Sequence, residues 1–353
     1  MAAFAEGKVV SLVDERPGLV RARVATQDGE IDAVGFPNML GPLRAGDRVV
    51  VNVTGIALEL GTGGTGFIVW NLDGEPPPSG EGHIVKLRYT PWQTEVLAAE
   101  APESPHHDVL AEVDAIDGMP VVACSLHSQL AGVAAGVKAA RPDARVGYLM
   151  TDGAALPLAW SDLVAELNGT GLVDVTCTAG HSFGGDLEAV NVFSGLAVLK
   201  FAGKADIAVV AMGPGVVGTD TALGFTGMEQ GQVLDATTAL GGRAIACLRI
   251  SFADPRERHR GVSHHCLTAL RVAARERATV VAPSLEPEQA ATVERQLAAA
   301  GIHRRHDVVT ADGSAGLALL RERKIEPTSM GRDLHEVPEL FLAAAAAGSV
   351  AAR

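Results

Sequence analysis

The densest group of chemically capable side chains lies in the run DPRERHRGVSHH, residues 254–265, which sets His259, His264 and His265 among Arg256, Arg258 and Arg260. Imidazole titrates closest to neutral pH, so it can accept a proton or offer a lone pair to a metal. Guanidinium forks match carboxylate and phosphate oxygens. From Asp254 to Arg277 six arginines face three acids, a local +3 in a chain of formal net charge −13. That contrast points to an anionic ligand. Ser263 precedes an apolar-periodic stretch (Cys266, Leu267, Leu270, Ala273, Ala274), which predicts an N-cap with His264 and His265 in the first helical turn. The positive end of a helix disfavours imidazolium, so neutral rings are expected. The plainer alternative is that these histidines only hydrogen-bond neighbouring loops, because the cluster lacks the HExxH spacing of a zinc site.

Three further segments carry candidates. The run AGHSFGGDLE, residues 179–188, places His181 on a glycine-rich loop, with Asp186 expected to cap a helix over Leu187–Leu199. The run GPGVVGTDT, residues 213–221, matches GxGxxG at Gly213, Gly215 and Gly218, and its amides could approach a phosphate. A dinucleotide fold would enter a helix directly, whereas Gly224 and Gly227 interrupt this one; Asp235 alone has the spacing of the expected acid. Thr219, Asp220 and Thr221 can contact phosphate or metal, or simply cap the next turn. His127 follows another apolar run, and Ser125 and Cys124 beside it lack the GxSxG elbow of a nucleophile.

Apolar runs at about thirty-residue spacing must position these segments: Val121–Cys124, Val146–Met150, Val173–Cys177, Ile207–Ala211, Ala244–Ile250, Thr279–Ala282 and Asp307–Val309. Alternating with helical stretches, they predict an α/β domain with a doubly wound, mostly parallel sheet, a closed eight-stranded barrel being the minor alternative. Ligands of such sheets bind at the carboxyl ends of the strands, where the four motif segments would converge. Before about Leu87 the pattern differs. Short β-rich runs about ten residues apart (Val9–Val13, Leu19–Ala25, Glu30–Val34, Arg48–Thr54, Phe67–Leu72, His83–Leu87), with turn signals such as Gly61–Gly66, predict a small barrel. Glu75–Gly80 interrupts the pattern, and AAEAPESPHHD at 98–108 reads as a linker. The expected domains are therefore an all-β unit, 1–97, the linker, and a Rossmann-like unit, 109–353. The alanine-rich tail from Leu340 predicts a helix packed on its own domain or on a partner chain, a homo-oligomer being one such case.

The blocks AGHSFGGDLEAVN, GPGVVGTDT and RISFADPR followed by RHRGVSHHCLTAL resemble a bacterial family catalogued as a domain of unknown function. The similarity extends over most of the chain and implies no substrate or catalytic assignment.

Composition excludes several classes. Residues 1–90 carry 8 Lys+Arg against 11 Asp+Glu, so the barrel is not expected to bind nucleic acid. The N-terminus lacks the basic and apolar regions of a secretory signal, and the apolar runs near Ile207–Met212 and Leu340–Ala347 are too short to span a bilayer. A cytoplasmic location is expected. Cys124, Cys177, Cys247 and Cys266 show no CxxC spacing and read as reduced and packed.

The expectation is an enzyme, a hydrolase or group transferase, acting on a phosphorylated or otherwise anionic small molecule. His181, His259, His264, His265 and Asp254 would be its catalytic groups. Gly213, Gly215, Gly218, Thr219, Arg256, Arg258, Arg260 and His127 would hold the substrate. A metabolite-binding regulatory protein using the same pocket is the alternative. An anion-only site is preferred over a divalent metal, because arginines repel a cation and no close-spaced ligand motif is present.

Overall fold

The computed structural model describes residues 2–61, 63–75, 77, 79–80 and 82–353. The expected turn at Gly61–Gly66 includes Thr62, and the expected break at Glu75–Gly80 includes Pro76 and Pro78, all three outside the described residues. The chain forms two compact units, 1–96 and 97–353.

Residues two apart on a strand share a face, and in the first unit Val9, Val20, Ala22, Val24, Val49, Val51 and Ile68 use that spacing to fill one interior. Five strands, β1 (Phe4–Arg16), β2 (Leu19–Thr26), β3 (Gly29–Gly35), β4 (Arg48–Asn52) and β5 (Gly66–Asn71), close into a barrel in the order β1-β2-β3-β5-β4. Among the described residues closure leaves no edge strand, and the β3–β5 contact is the one parallel pairing. The sixth expected run stands apart: β6 (Ile84–Lys86) pairs with β7 (Thr94–Val96) as a separate ribbon.

The second unit is an open, all-parallel sheet of eight strands, one more than the apolar runs predict. Its members are β8 (Pro120–Ala123), β9 (Val146–Thr151), β10 (Val175–Thr178), β11 (Leu187–Glu188), β12 (Ile207–Met212), β13 (Arg243–Cys247), β16 (Thr279–Pro283) and β17 (Asp307–Ala311). They run β11-β10-β9-β12-β8-β13-β16-β17, while β14 (Ile250–Ser251) and β15 (Gly261–Val262) form a small antiparallel ribbon. Two distinct edges, β11 and β17, exclude the barrel alternative. Central strands β9 and β12 are buried along their whole length, as a sheet covered on both faces requires.

The extra strand corrects one expectation. Leu187 and Glu188 pair with Cys177 and Thr178 instead of opening a helix. The helix starts at Val192, capped by Asn191 and Ser194 in a reciprocal pair. Asp186 caps nothing; its Oδ2 accepts hydrogen bonds from the amide and hydroxyl of Thr176 at 2.8 and 2.9 Å. The expected linker is also part of the second unit, with Ala98, Ala99 and Ala101 buried and the Ala99 amide bonded to the Glu188 carbonyl.

One core face packs the helices Gln129–Ala140, Asp162–Gly169, Ser314–Glu322 and Pro338–Ala351. The other takes Val192–Ala197, Glu229–Ala239, His264–Thr268 and Pro287–Ala299. The alanine-rich tail therefore packs on its own domain. The helix after β8 covers one face and the helix after β12 the other. This change of side at the centre of the sheet opens a crevice where ligands of such folds bind. Among the described residues no helix is long and apolar enough to cross a membrane.

Candidate functional site at the carboxyl edge of the sheet

Two buried glutamines hold the strand ends beneath this crevice. Gln129 accepts from the amides of Ser125 and Leu126 at 3.0 and 3.1 Å and donates to the Leu248 carbonyl at 2.9 Å. Gln230 donates to the carbonyls of Ala123 and Cys247 at 2.8 and 2.7 Å. Together they fix β8 against β13 where the parallel ladder ends. Two loops then rise beside β8, residues 213–228 after β12 and residues 248–263 after β13.

The second loop turns on Ser263, the expected N-cap, whose Oγ accepts from the His265 amide at 3.3 Å. The same oxygen lies 2.8 Å from His259 Nδ1. Arg258 Nε lies 3.4 Å from His259 Nε2, and a guanidinium only donates, so Nε2 bears the lone pair and Nδ1 the proton. One hydroxyl thus starts the helix and orients the ring. His259, His264 and His265 present ring nitrogens within 4.8 Å of one another. His264 Nε2 is buried with no hydrogen-bond partner among the described residues.

The loop after β12 closes against this trio. Phe225 stacks on His265 with ring centroids 3.9 Å apart and planes 4° off parallel. A Cβ on Gly218 would lie 3.4 Å from His265 Cε1. Gly213 is required because a side chain there would strike the Ala155 carbonyl, and Gly215 because its φ is +111°. Gly224 accepts from Thr219 through its carbonyl and donates its amide to Thr221 Oγ1, so both hydroxyls brace the turn, as the capping alternative expects. The following helix begins only at Glu229, leaving no direct passage from glycine loop to helix for a dinucleotide.

All three guanidinium groups around the trio have carboxylate partners. Arg256 grips Asp254 through two hydrogen bonds of 3.0 and 2.9 Å, and the buried Arg249 lies 3.9 Å from the same carboxylate. Hydrogen bonding from Arg256 holds Asp254 down at about 2. Arg258 pairs with Asp220 at the surface. Burial, reinforced by these arginines, lowers His259 to about 4. Burial first, then His264 and the arginines, lowers His265 to about 3. His264 moves the same way, by burial and then Arg258. All three rings are neutral at pH 7.

A family model matches residues 32–348, from the third barrel strand to the C-terminal helix. The chain belongs to DUF3866. That family is described as a protein of unknown function, and each of the three resembling motif blocks lies within the match. A comparison with the curated proteins finds no match.

Within this DUF3866 chain the motif segments do follow strands at one edge, but they divide into two groups. His259, His264, His265, Gly218, Phe225 and the arginines form the first. The second centres on Asp152, after β9: its Oδ2 accepts the His181 amide at 2.8 Å, and a Cβ on Gly180 would strike its carboxylate. Burial raises the nearby Glu229 carboxyl, a Thr151 hydrogen bond opposes that shift, and the charge of Asp152 adds to it. Residues 213–215 touch this second group through Ala154 and Ala155. His181 is therefore not one of the histidine trio.

His127 is used internally. Its Nε2 lies 2.7 Å from Ser161 Oγ, and its Nδ1 lies 3.1 and 3.2 Å from the Tyr148 hydroxyl and the Met212 carbonyl, tying β8, β9 and β12 together. Arg260 is exposed, and its carbonyl accepts from Gln296. Phe225, Asp152 and Glu229 belong to none of the motif segments that sequence alone marks as candidates. Asp152 had a usable signal, since it follows a strand at the same edge as the other loops. Phe225 had none, because its stacking depends on the path of a thirteen-residue loop, 213–225.

Proposed function

We propose that this protein is a hydrolase or group transferase acting on a phosphorylated or otherwise anionic small molecule. The observation that carries the reading is the meeting of three neutral imidazoles with the Gly218 loop and a ring of guanidinium groups at the central crevice. Arg258 is the group best suited to take the anion. Its partner Asp220 is largely exposed, and exposed ion pairs are weak because water and salt screen them, so an incoming phosphate displaces it at little cost. Arg256 and the buried Arg249 stay on Asp254 and supply a fixed positive background. The imidazole lone pairs activate the water or hydroxyl that attacks the bound group.

The test is release of inorganic phosphate or alcohol from a panel of phosphomonoesters, phosphodiesters and nucleoside polyphosphates. The wild-type protein should turn over at least one class, and His264→Ala should lower kcat at least about 100-fold. Tight binding of a panel member with no turnover would instead favour a metabolite-sensing protein.

A further inference from the structure

We propose that His259, His264 and His265 together hold one divalent transition-metal ion of the zinc class. Three observations converge on the same atoms. The three side chains each offer a ring nitrogen, all within 4.8 Å of one another. A tetrahedral set at zinc–nitrogen distances needs about 3.3 Å between nitrogens, so modest rotation of the rings closes the site. His264 Nε2 is buried without a hydrogen-bond partner among the described residues, an unfavourable arrangement unless something else binds it. Finally, Ser263 engages His259 Nδ1, as outer partners of metal-bound histidines do, which leaves Nε2 as the ligand atom once the long 3.4 Å contact from Arg258 Nε gives way to the ion.

The arginines do not prevent this. Their repulsion was the ground for preferring an anion-only site, but Asp254 offsets Arg249 and Arg256, and Asp220 offsets Arg258, so three cations meet two anions. Nitrogen donors alone select zinc, cobalt, nickel or copper over magnesium and calcium, which prefer oxygen. Three protein ligands leave at least one position for water or a substrate oxygen, as in catalytic rather than structural zinc sites. The inference rests on the functional reading above for its anionic substrate and alters it in one respect: lone pairs that hold the ion no longer act as bases, and the ion would activate the water in their place; binding itself is read without turnover.

The experiment is titration of chelator-treated, full-length protein with Co²⁺, followed by its visible ligand-field absorption and by displacement with Zn²⁺. One equivalent should bind with the intense absorption of a tetrahedral site. His264→Ala and His259→Ala should each lower affinity at least about 10-fold while keeping the far-ultraviolet circular dichroism of the wild type. His303→Ala, which alters an exposed histidine paired with Glu294, should leave binding unchanged. Absence of the absorption, or equal affinity in folded His264→Ala and wild type, would overturn the metal site. Phosphoester turnover with no metal bound would do so too while sparing the functional reading; stoichiometric metal with neither turnover nor anion binding would uphold the site and remove that reading.

Discussion

His127 shows how a residue can look functional in the sequence and serve the core. It lies in a loop after a strand, as a ligand-binding histidine would, yet both ring nitrogens are engaged with Ser161, Tyr148 and Met212. Burial lowers it to about 4, with the Met212 carbonyl opposing the shift. The folded protein therefore resists protonation while the unfolded chain accepts a proton near pH 6.5, and stability is lost as the pH falls from about 6.5 toward 4. This one group should contribute about 2 kcal/mol of loss between pH 7.5 and pH 5. Urea denaturation at the two pH values should show a smaller loss in His127→Gln than in wild type. Equal losses would mean that the ring is not held neutral. At this scale the histidine cluster was legible, because its members are near neighbours in sequence. The internal partners of His127 were not, since Ser161 and Met212 reach it only through the strand order.

At the scale of elements, the barrel, the parallel sheet and most strand positions were legible from periodicity alone. Leu187–Glu188 was missed because two residues are too short to display a period, and Asp186 before them resembled a helix cap. The β9 end was overlooked for a different reason: Asp152 stands alone, with no cluster to mark it. The close contact between the helices Gln129–Ala140 and Pro338–Ala351 was also hidden, since isolated glycines in a helix normally signal weakness. Here they permit approach: a Cβ on Gly136 would collide with the Ala345 carbonyl, and one on Gly348 with that of Val133. Helix Gln129–Ala140 begins at the glutamine that fixes the β8 loop, so its seat bears on the site. Gly136→Ala should destabilise the protein by about 1–3 kcal/mol, seen as a lowered thermal midpoint, despite alanine's better helix propensity. An unchanged or raised midpoint would show that the two helices separate easily.

At the scale of the whole molecule, a chain of net charge −13 repels anions at long range, yet the proposed ligand is anionic. Screening resolves this, because at physiological ionic strength fields fade over about 8 Å, leaving the local guanidinium groups in control. Binding should therefore be specific to one place on the molecule and depend on Arg258 and on the shape of the 213–218 loop. Isothermal titration of the full-length protein with inorganic phosphate isolates that dependence from any question of turnover. One phosphate should bind to the wild type, with binding abolished in Arg258→Ala and in Gly215→Val, where a branched side chain is forced onto a φ of +111°. Undiminished phosphate binding in both variants, or none in the wild type, would contradict an anion site at the central crevice.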